Sequence, residues 1–441
     1  VPEPTRLVSA GETLRPEIVG KFGIVAAGRH YAVEAGIRIL MAGGNATDAG
    51  VAAVFAAAVT EISHVGFGGE APTIIFDKKS GKIVAVNGQG VAPALATPDK
   101  FAKEGIIPGN GPNGGTVPAM VDAMSLALQH NGTMTLDQVM QPAIELADGF
   151  VMYNFLAEVF VSQKKATSKY QTAYDTYYPG GKLPQTGEIF RQPNLARTMR
   201  TIAAADKAEF AKSKDRKKAI QAGRDAFYKG DIARTIGAAM EKDGGLMRYE
   251  DLASYKGKIE APATTKVFGY DVYKGGFWSQ GPAMLMALSI SEAAGIQQMV
   301  PGSDPYLHTV AESIKLAFDD RNAFFGDPDF AKVPMKGLLS KDYAADRARQ
   351  ISPKASLEHR YGDPWKFEGV ARPTPAFTPH VLKKPPIPTA DTTAIEVVDK
   401  DGNLFSCTPS SGWMLGGAYI AGDTGVPMSN RMTVFDLDPE S

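Results

Sequence analysis

The sequence is poor in cysteine, in long apolar runs and in excess charge of either sign. Its one cysteine, Cys407, excludes an intramolecular disulfide and any zinc or iron-sulfur site built from several thiolates. The longest apolar run, residues 49–59, is far shorter than the ~20 residues that span a bilayer. With 47 Lys plus Arg against 48 Asp plus Glu, the net charge of -1 offers no broad attraction for nucleic acid or anionic lipid. We therefore expect a globular protein without nucleic-acid or membrane partners.

Recognisable metal and nucleotide motifs are also missing. The six histidines show neither HExxH nor another ligand spacing, so the sequence predicts no metal site and no cofactor. Residues 109–114 match GxGxxG, but two prolines interrupt the match and no clear strand precedes it, which favours a plain loop. Residues 66–69 (Gly-Phe-Gly-Gly) lack the Lys-Ser/Thr of a phosphate loop, which favours a tight turn.

The apolar periodicity that is present predicts a mixed α/β or α+β protein without a fixed-period repeat. Residues 31–41 predict a helix that ends at a Gly-Gly pair, and Asn45 can cap a second helix through residue 59. Residues 72–76 and 83–86 are typical of a hairpin. Further helices are predicted at residues 121–129, 136–147, 195–204 and 233–240.

Two charged stretches have plain structural interpretations. Residues 207–224 carry interleaved acids and bases on a helical pattern, which indicates a solvated helix face. Asp319 and Asp320 could do acid/base work, but a helix carrying local ion pairs is the stronger interpretation.

The chain changes character sharply at Thr392. Six prolines within residues 372–391 preclude a regular helix or a central strand and predict an extended, exposed segment. A strand rich in β-branched residues follows at residues 392–398, then a turn and a returning strand at residues 404–408.

A threonine hydroxyl needs a positioned base before it can act as a nucleophile. Cleavage just before Thr392 would make its own α-amine that base, with a reference pKa of about 7.7 to 8.0. By spacing alone, however, a Thr-Thr pair that opens a strand is usually structural.

Segments along almost the whole chain resemble the γ-glutamyltranspeptidase family of N-terminal-nucleophile hydrolases. They include residues 36–53 (GIRILMAGGNATDAGVAA), 66–76, 92–93, 142–144, 227–230, 244–255, 279–282, 326–328 and 392–403. The resemblance implies an α+β protein with a four-layer αββα fold, made as a precursor that cleaves itself between Asp391 and Thr392. Residues 1–391, with the exposed Pro-rich end at 372–391, would be the large subunit. Residues 392–441 would begin the small subunit, its partner from the same precursor.

The resemblance also implies the site residues. Thr392 would attack a small-molecule amide to form an acyl-enzyme ester, supported by a second hydroxyl residue, Ser410. In γ-glutamyl enzymes an arginine holds the substrate α-carboxylate, and an asparagine, a glutamine and an aspartate hold its α-amino group. The corresponding positions here are Gln89, Gly412, Arg431 and Val434.

All four recognition residues therefore differ from the γ-glutamyl pattern. Loss of one charged partner from a buried polar contact costs ~2 to 5 kcal/mol, or about 30-fold to several thousand-fold in affinity. Because Arg431 adds a cation and Trp413 an aromatic wall, we expect an acyl group without an α-amino group, bearing a carboxylate or an aromatic ring. Equally open is the alternative that Arg431 pairs with Asp423 or Asp436 and never meets substrate.

The sequence thus predicts a self-processing threonine amidohydrolase or acyltransferase. The family resemblance and the Met-less start at Val1 imply a periplasmic or secreted location. Only 50 residues run from Thr392 to the end, whereas the family's small subunit exceeds 100, so we expect a truncated small subunit without its oxyanion residues. Two other functions stay open: a true γ-glutamyltransferase acting on glutathione-like substrates, and an uncleaved, non-catalytic scaffold.

Overall fold

The computed structural model describes residues 17–372, 392–412 and 414–437. The Pro-rich stretch 373–391, including Asp391, and Trp413 lie outside the described residues. Within the described residues the α-helices are α1 His30–Met41, α2 Ala46–Thr60, α3 Pro98–Phe101, α4 Met120–Asn131, α5 Leu136–Asp148, α6 Asn154–Thr167, α7 Gln171–Tyr177, α8 Pro193–Ser213, α9 Arg216–Tyr228, α10 Asp231–Lys242, α11 Tyr249–Ser254, α12 Gly281–Ala293, α13 Asp304–Phe324, α14 Met335–Leu338, α15 Lys341–Ala348 and α16 Trp365–Glu368.

The central feature is an antiparallel sheet of six strands in the order β1-β9-β10-β2-β3-β6. Two small hairpins, β4-β5 and β7-β8, form separate sheets. The strands are β1 Gly23–Ala26, β2 Thr73–Asp77, β3 Lys82–Val86, β4 Phe150–Val151, β5 Ile189–Phe190, β6 Ile259–Glu260, β7 Ala263–Val267, β8 Tyr270–Lys274, β9 Ile395–Asp399 and β10 Leu404–Cys407. The predicted α+β class and both predicted hairpins are confirmed.

Helix α2 is buried along its whole length and packs on α1, α5 and the strands β9 and β10. Its start is fixed by Asn45, whose side-chain oxygen accepts hydrogen bonds from the N–H groups of Thr47 and Asp48 at 2.9 and 3.0 Å. Gly50 allows close approach to the sheet, because a Cβ there would lie 2.2 Å from the Phe405 ring. The predicted helix pair and its cap are therefore confirmed.

The sheet has one covered face and one open face. Ile395 and Val397 of β9 are buried on the side of α2, whereas Val398 and Leu404 lie on the opposite side and are each 42% exposed. The carboxylate of Asp399 accepts hydrogen bonds from the turn that joins β9 to β10 and from the first residue of α2. The strand after Thr392 is thus anchored to the helical layer, and its open face is where a further layer of the predicted sandwich would pack.

A second, smaller core lies between α12, α13 and α15. Here Asp320 pairs with Arg347, both fully buried, and Asp319 lies 2.8 Å from His359. The predicted helix is confirmed, but the prediction of local ion pairs is wrong for these two acids, because their partners come from later segments of the chain.

The pattern of the charged stretch 207–224 suggested a single helix, but the structure has two helices there. Helix α8 ends at Ser213, Lys214 adopts a left-handed φ of 55°, and the Asp215 side chain caps the start of α9. Arg224 is also not solvated: it is buried and pairs with Asp122. Within the described ranges, none of the helices combines the length and apolar character needed to cross a bilayer.

Candidate active site

Thr392 lies three residues before β9 and is exposed. Burial alternates after it, because Thr393, Ile395 and Val397 are buried and the residues between them are exposed. Alternate side chains of an extended chain point to opposite faces, so Thr392 belongs to the open face of the sheet. The predicted position of Thr392 at the entrance of a strand is what the structure has.

The strand register brings Ser410 towards Thr392. Strands β9 and β10 pair Val398 with Leu404 and Ile395 with Cys407. The same register, continued three residues further, sets Thr392 opposite Ser410. Directly opposed residues of an antiparallel pair share a face, so the two hydroxyl residues belong to one row across the sheet.

The same row continues on the other side of Ser410 to an acid. Glu70 and Ser410 form a bridge in which each backbone N–H donates to the other's carbonyl, at 2.8 and 3.0 Å. This bridge continues the register of β2 with β10, which pairs Thr73 with Cys407. Glu70 and Ser410 are thus paired neighbours, and the register counted beyond β9 predicts Thr392 as the next residue of the same row.

Glycines before Glu70 allow this approach. The N–H of Gly69 bonds to the carbonyl of Gly66 at 2.8 Å, which closes a tight turn. A Cβ at Gly69 would lie only 2.0 Å from the carbonyl oxygen of Ser410. The predicted turn at residues 66–69 is confirmed, and its glycines serve close backbone packing.

Arg431 contacts both Ser410 and Glu70. Its Nε and Nη2 pair with Oε1 of Glu70, and Nη2 also donates to Ser410 Oγ at 2.8 Å. The ion pair is therefore made with Glu70 rather than with Asp423 or Asp436, and Asp423 pairs instead with Arg197. The side chain of Arg431 remains 24% exposed, so it lies between the buried acid and the open side of the site.

Glu70 is the most deeply buried acid of this site, with 2% of its surface exposed. Burial raises its pKa, and the neighbouring Arg431 only partly offsets that rise. Arg431 uses one carboxylate oxygen, and Oε2 has no hydrogen-bond partner among the described residues. A carboxylate with so few donors is poorly compensated for the loss of water.

Gly412 has a conformation that other residues rarely adopt. Its φ is 93°, and a Cβ at this position would lie 1.9 Å from Oδ1 of Asn430. Asn430 is itself held by donating to the carbonyls of Gly109 and Gly416 at 2.9 and 2.8 Å. The asparagine that the γ-glutamyl pattern has at position 412 would therefore be strained on this backbone and would require the Asn430 side chain to move.

For the other predicted substrate-binding residues, the structure gives the local environment. Gln89 is half-buried, and its backbone is fixed by the Tyr255 hydroxyl at 2.6 Å and by Asn87 at 3.1 Å. Val434 is 44% exposed at the end of the short 3-10 helix Arg431–Val434. Trp413 and Asp391 lie outside the described residues.

Two loops that the sequence did not assign to the site support it. The loop at residues 109–115 packs on the segment around Asn430, and Gly114 accepts from the N–H of Met432 at 3.0 Å. Neither a helix nor a strand is present at residues 109–115, so the plain loop predicted for residues 109–114 is confirmed. His64 is a core histidine: its ring lies 2.7 Å from the Ser63 hydroxyl, and its carbonyl accepts from Ser411 at 2.8 Å.

Glu70 is the site residue that sequence reasoning missed. It is the single formally charged residue between residues 62 and 76, in an apolar and glycine-rich stretch. That isolation is the signal that could have indicated a buried, partnered acid.

Among the described residues, no group of three or more His, Cys, Asp or Glu side chains is arranged to hold a metal ion.

The chain is similar to a set of related enzymes over nearly its full length. Residues 32–441 match the family model described as gamma-glutamyltranspeptidase. The glutathione hydrolase proenzyme of Escherichia coli strain K12 is 32% identical over 99% of this chain and 71% of its own length. The acylase ACY 1 proenzyme of Pseudomonas sp. strain SE83 is 29% identical over 95% of this chain and 71% of its own length. The solved cephalosporin acylase from Bacillus halodurans covers all of this chain and 73% of its own, at a TM-score of 0.81 and 28% identity.

Proposed function

Because the chain belongs to the γ-glutamyltranspeptidase family, and is thus an N-terminal-nucleophile amidohydrolase of the transpeptidase and acylase type, we propose that Thr392 is its nucleophile, released by self-cleavage. The observation that supports this proposal is the register of β9 with β10, which places Ser410 opposite Thr392 when it is counted three residues beyond its last pair. The word proenzyme in the names of both relatives is consistent with a precursor that is cut. The cut would fall between Asp391 and Thr392 and divide the chain into the two predicted subunit portions.

Self-cleavage would use the hydroxyl of Thr392 on its own peptide bond. Oγ1 attacks the carbonyl carbon of Asp391, the C–N bond breaks, and the proton from Oγ1 passes to the nitrogen of Thr392. Water then hydrolyses the resulting ester, which leaves a carboxylate on Asp391 and an α-amine on Thr392. This amine has a reference pKa of about 7.7 to 8.0 and is partly unprotonated at neutral pH.

Turnover would repeat the same chemistry on a small-molecule amide. The α-amine takes the proton of Oγ1 as the oxygen bonds to the substrate carbonyl carbon, and the leaving amine receives that proton as the C–N bond breaks. Water or an acceptor amine then attacks the ester, and Oγ1 of Thr392 regains a proton. Ser410 would supply a hydrogen bond beside the nucleophile.

Two features support an acyl group that lacks an α-amino group. An asparagine at position 412, as in the γ-glutamyl pattern, would collide with the side chain of Asn430 unless that side chain moved. Arg431, which replaces a glutamine, brings positive charge where an ammonium group would have to bind. Repulsion between like charges at short range opposes binding of a γ-glutamyl group in the usual orientation.

Arg431 instead suits an anionic acyl chain. Its Nη1 has no hydrogen-bond partner among the described residues, and a quarter of its side chain is open to solvent. A guanidinium offers paired N–H donors that match a carboxylate. We therefore favour a dicarboxylic acyl group such as glutaryl, which is γ-glutamyl without its amine, with an aromatic acyl group as the second choice.

Intact-mass measurement of the purified protein tests the nucleophile. We expect two polypeptides divided just before Thr392 in the wild type and a single chain in Thr392→Ala. The matched control is Thr393→Val, which removes the neighbouring hydroxyl but keeps its shape, and it should still be cut. A wild-type chain that stays whole and inactive would favour the non-catalytic scaffold.

A panel of p-nitroanilides with glutaryl, phenylacetyl and γ-glutamyl groups tests the acyl preference. We expect the glutaryl compound to leave the largest mass adduct population on Thr392 and the γ-glutamyl compound to be the slowest substrate. Efficient γ-glutamyl turnover that Arg431→Ala does not affect would instead indicate a true γ-glutamyltransferase. A periplasmic or secreted location stays a prediction, which cell fractionation can check.

A further inference from the structure

The reaction proposed above uses Thr392 and Ser410 but gives no role to the buried acid beside them. We propose that Glu70 is a positioning residue, which holds Arg431 against Ser410 so that the Ser410 hydroxyl is left to donate its hydrogen towards Thr392. This inference rests on the proposed function, because it assigns a task within the same site.

The hydrogen bonds of Ser410 dictate the direction of its hydroxyl. Its Oγ accepts from the N–H of Gly412 at 3.0 Å and from Nη2 of Arg431 at 2.8 Å. A hydroxyl has two acceptor lone pairs and one donor hydrogen, so both of its acceptor positions are used. Ser410 can therefore act towards a further partner only as a donor. The register of β9 with β10 ends at Ile395 and Cys407, and counting it three residues further gives Thr392 as the partner that we infer.

A donor beside the nucleophile favours the reaction because negative charge develops on the attacking oxygen. A hydrogen bond to the charged form of a group stabilises that form. Arg431 strengthens this effect, since its positive charge polarises the Ser410 hydroxyl that it contacts.

Glu70 is what keeps Arg431 in that place. Two guanidinium nitrogens, Nε and Nη2, converge on one carboxylate oxygen of Glu70. The backbone of Glu70 is in turn bonded twice to the backbone of Ser410. The acid, the cation and the hydroxyl therefore belong to one rigid frame, in which the side chain of Arg431 has little freedom to turn away.

The pair is poorly suited to a purely stabilising role. Oε2 of Glu70 has no partner among the described residues, whereas both oxygens of the buried Asp320 have one, Gly362 N–H and Arg347 Nε. Burial raises the pKa of Glu70 despite the adjacent cation. The ionised carboxylate of Glu70 is thus unfavourable for the stability of the fold. Its role in orienting Arg431 offers a functional reason for an acid at this position.

Glu70→Gln tests the inference, with the rate of self-cleavage followed by mass during cell-free synthesis of the full chain. We expect cleavage to slow roughly 10-fold to 100-fold, the usual effect of losing a hydrogen bond to a charged group. The urea midpoint at pH 7 should fall less than in Glu312→Gln, because removal of a poorly compensated charge offsets part of the cost of leaving Arg431 unpaired. In a Ser410→Ala background, Glu70→Gln should slow cleavage no further, since its effect is transmitted through Ser410.

Two controls separate this role from general disturbance. The neutral double variant Glu70→Gln with Arg431→Gln leaves no unpaired charge and should show the same slowing. Glu312→Gln changes an equally buried glutamate in the second core, and should lower the urea midpoint while cleavage of the folded chain keeps its rate.

Several outcomes would overturn the inference. If Glu70→Gln is cleaved at the wild-type rate, or if it slows cleavage equally with and without the Ser410 hydroxyl, Glu70 has no positioning role. Either outcome leaves Thr392 as the proposed nucleophile. A wild-type chain that is never cleaved and whose Thr392 is never acylated would overturn both proposals.

Discussion

Glu70 in the candidate site and Glu312 in the second core are equally buried, with 2% and 1% of their surfaces exposed, but their pKa values shift in opposite directions. For both groups burial is the largest influence and raises the pKa. At Glu312 hydrogen bonds from Lys315, Ser356 and Arg360 outweigh it, so the net pKa is lowered. At Glu70 the single cation Arg431 does not, and the pKa stays raised.

The two carboxylates differ in how strongly the surrounding protein desolvates them and in how many donors each meets. Arg360 donates to Oε2 of Glu312 at 2.7 Å, and Ser356 and Lys315 bond to Oε1. Within the described part of the chain, the side-chain donors of Glu70 come from one guanidinium and meet one oxygen. A buried carboxylate with several donors stabilises the fold, whereas one with few donors is a cost that function can explain.

Glu312→Gln should have the largest effect on stability. It leaves two cations without their partner, and we expect the free energy of unfolding to fall by about 3 kcal/mol at pH 7. Because the folded pKa of Glu312 lies below its ordinary value of 4.5, the ionised form stabilises the native state. The difference between wild type and variant should therefore be complete above pH 4.5 and shrink as the pH falls below that value.

Urea unfolding at several pH values measures this difference. The matched control is Glu358→Gln, an exposed acid in the loop that supplies Ser356 and Arg360 to Glu312, which should change stability by less than about 0.5 kcal/mol. A variant of Glu312 that is as stable as the control at neutral pH would show that donor count does not govern these buried acids.

Local structural elements and buried charge pairs differ in how far the sequence predicts them. Helices α1 and α2, the cap at Asn45 and the β9-β10 hairpin follow from local periodicity and turn chemistry, and they form as predicted. The partners of Arg431 and Asp320 do not follow, because they are separated from them by 361 and 27 residues and only the packed chain brings them together. A local pattern therefore predicts elements, whereas the pairing of buried charges depends on tertiary contacts.

Position 412 offers the next largest effect, within the candidate site. Gly412→Asn restores the residue of the γ-glutamyl pattern, but its side chain would collide with Asn430. We expect a loss of about 2 kcal/mol in the free energy of unfolding, from strain at positive φ and from the collision, without a gain in γ-glutamyl p-nitroanilide turnover.

Gly43→Asn is the matched control for this prediction. Gly43 has a φ of 92°, close to the 93° of Gly412, and nothing lies within 4 Å of a Cβ there. Its cost measures the backbone strain alone, so the excess loss at Gly412 measures the collision with Asn430. Equal losses at the two positions, or new γ-glutamyl activity in Gly412→Asn, would contradict the exclusion that we infer.

The smallest effect is expected at Asp206, which sharpens the comparison because its donors are uncharged. Its fully buried carboxylate accepts from the N–H groups of Leu136 and Asp137 at 3.3 and 3.2 Å and from the side chain of Thr135, and no cation pairs with it among the described residues. Burial raises its pKa, and these donors offset the rise only in part. We therefore expect Asp206→Asn to cost about 1 kcal/mol or less at pH 7.

The pH dependence at Asp206 should have the opposite sign to that at Glu312. A raised folded pKa means that its stabilising contribution is complete below the ordinary value of 3.8 and is lost as the pH rises through the folded value. The gap between wild type and Asp206→Asn in urea unfolding should thus narrow with rising pH. If the stability difference between wild type and Asp206→Asn instead widens with rising pH, uncharged donors suffice to stabilise a buried carboxylate. The lack of a partner for Oε2 of Glu70 among the described residues would then be weaker support for a functional role.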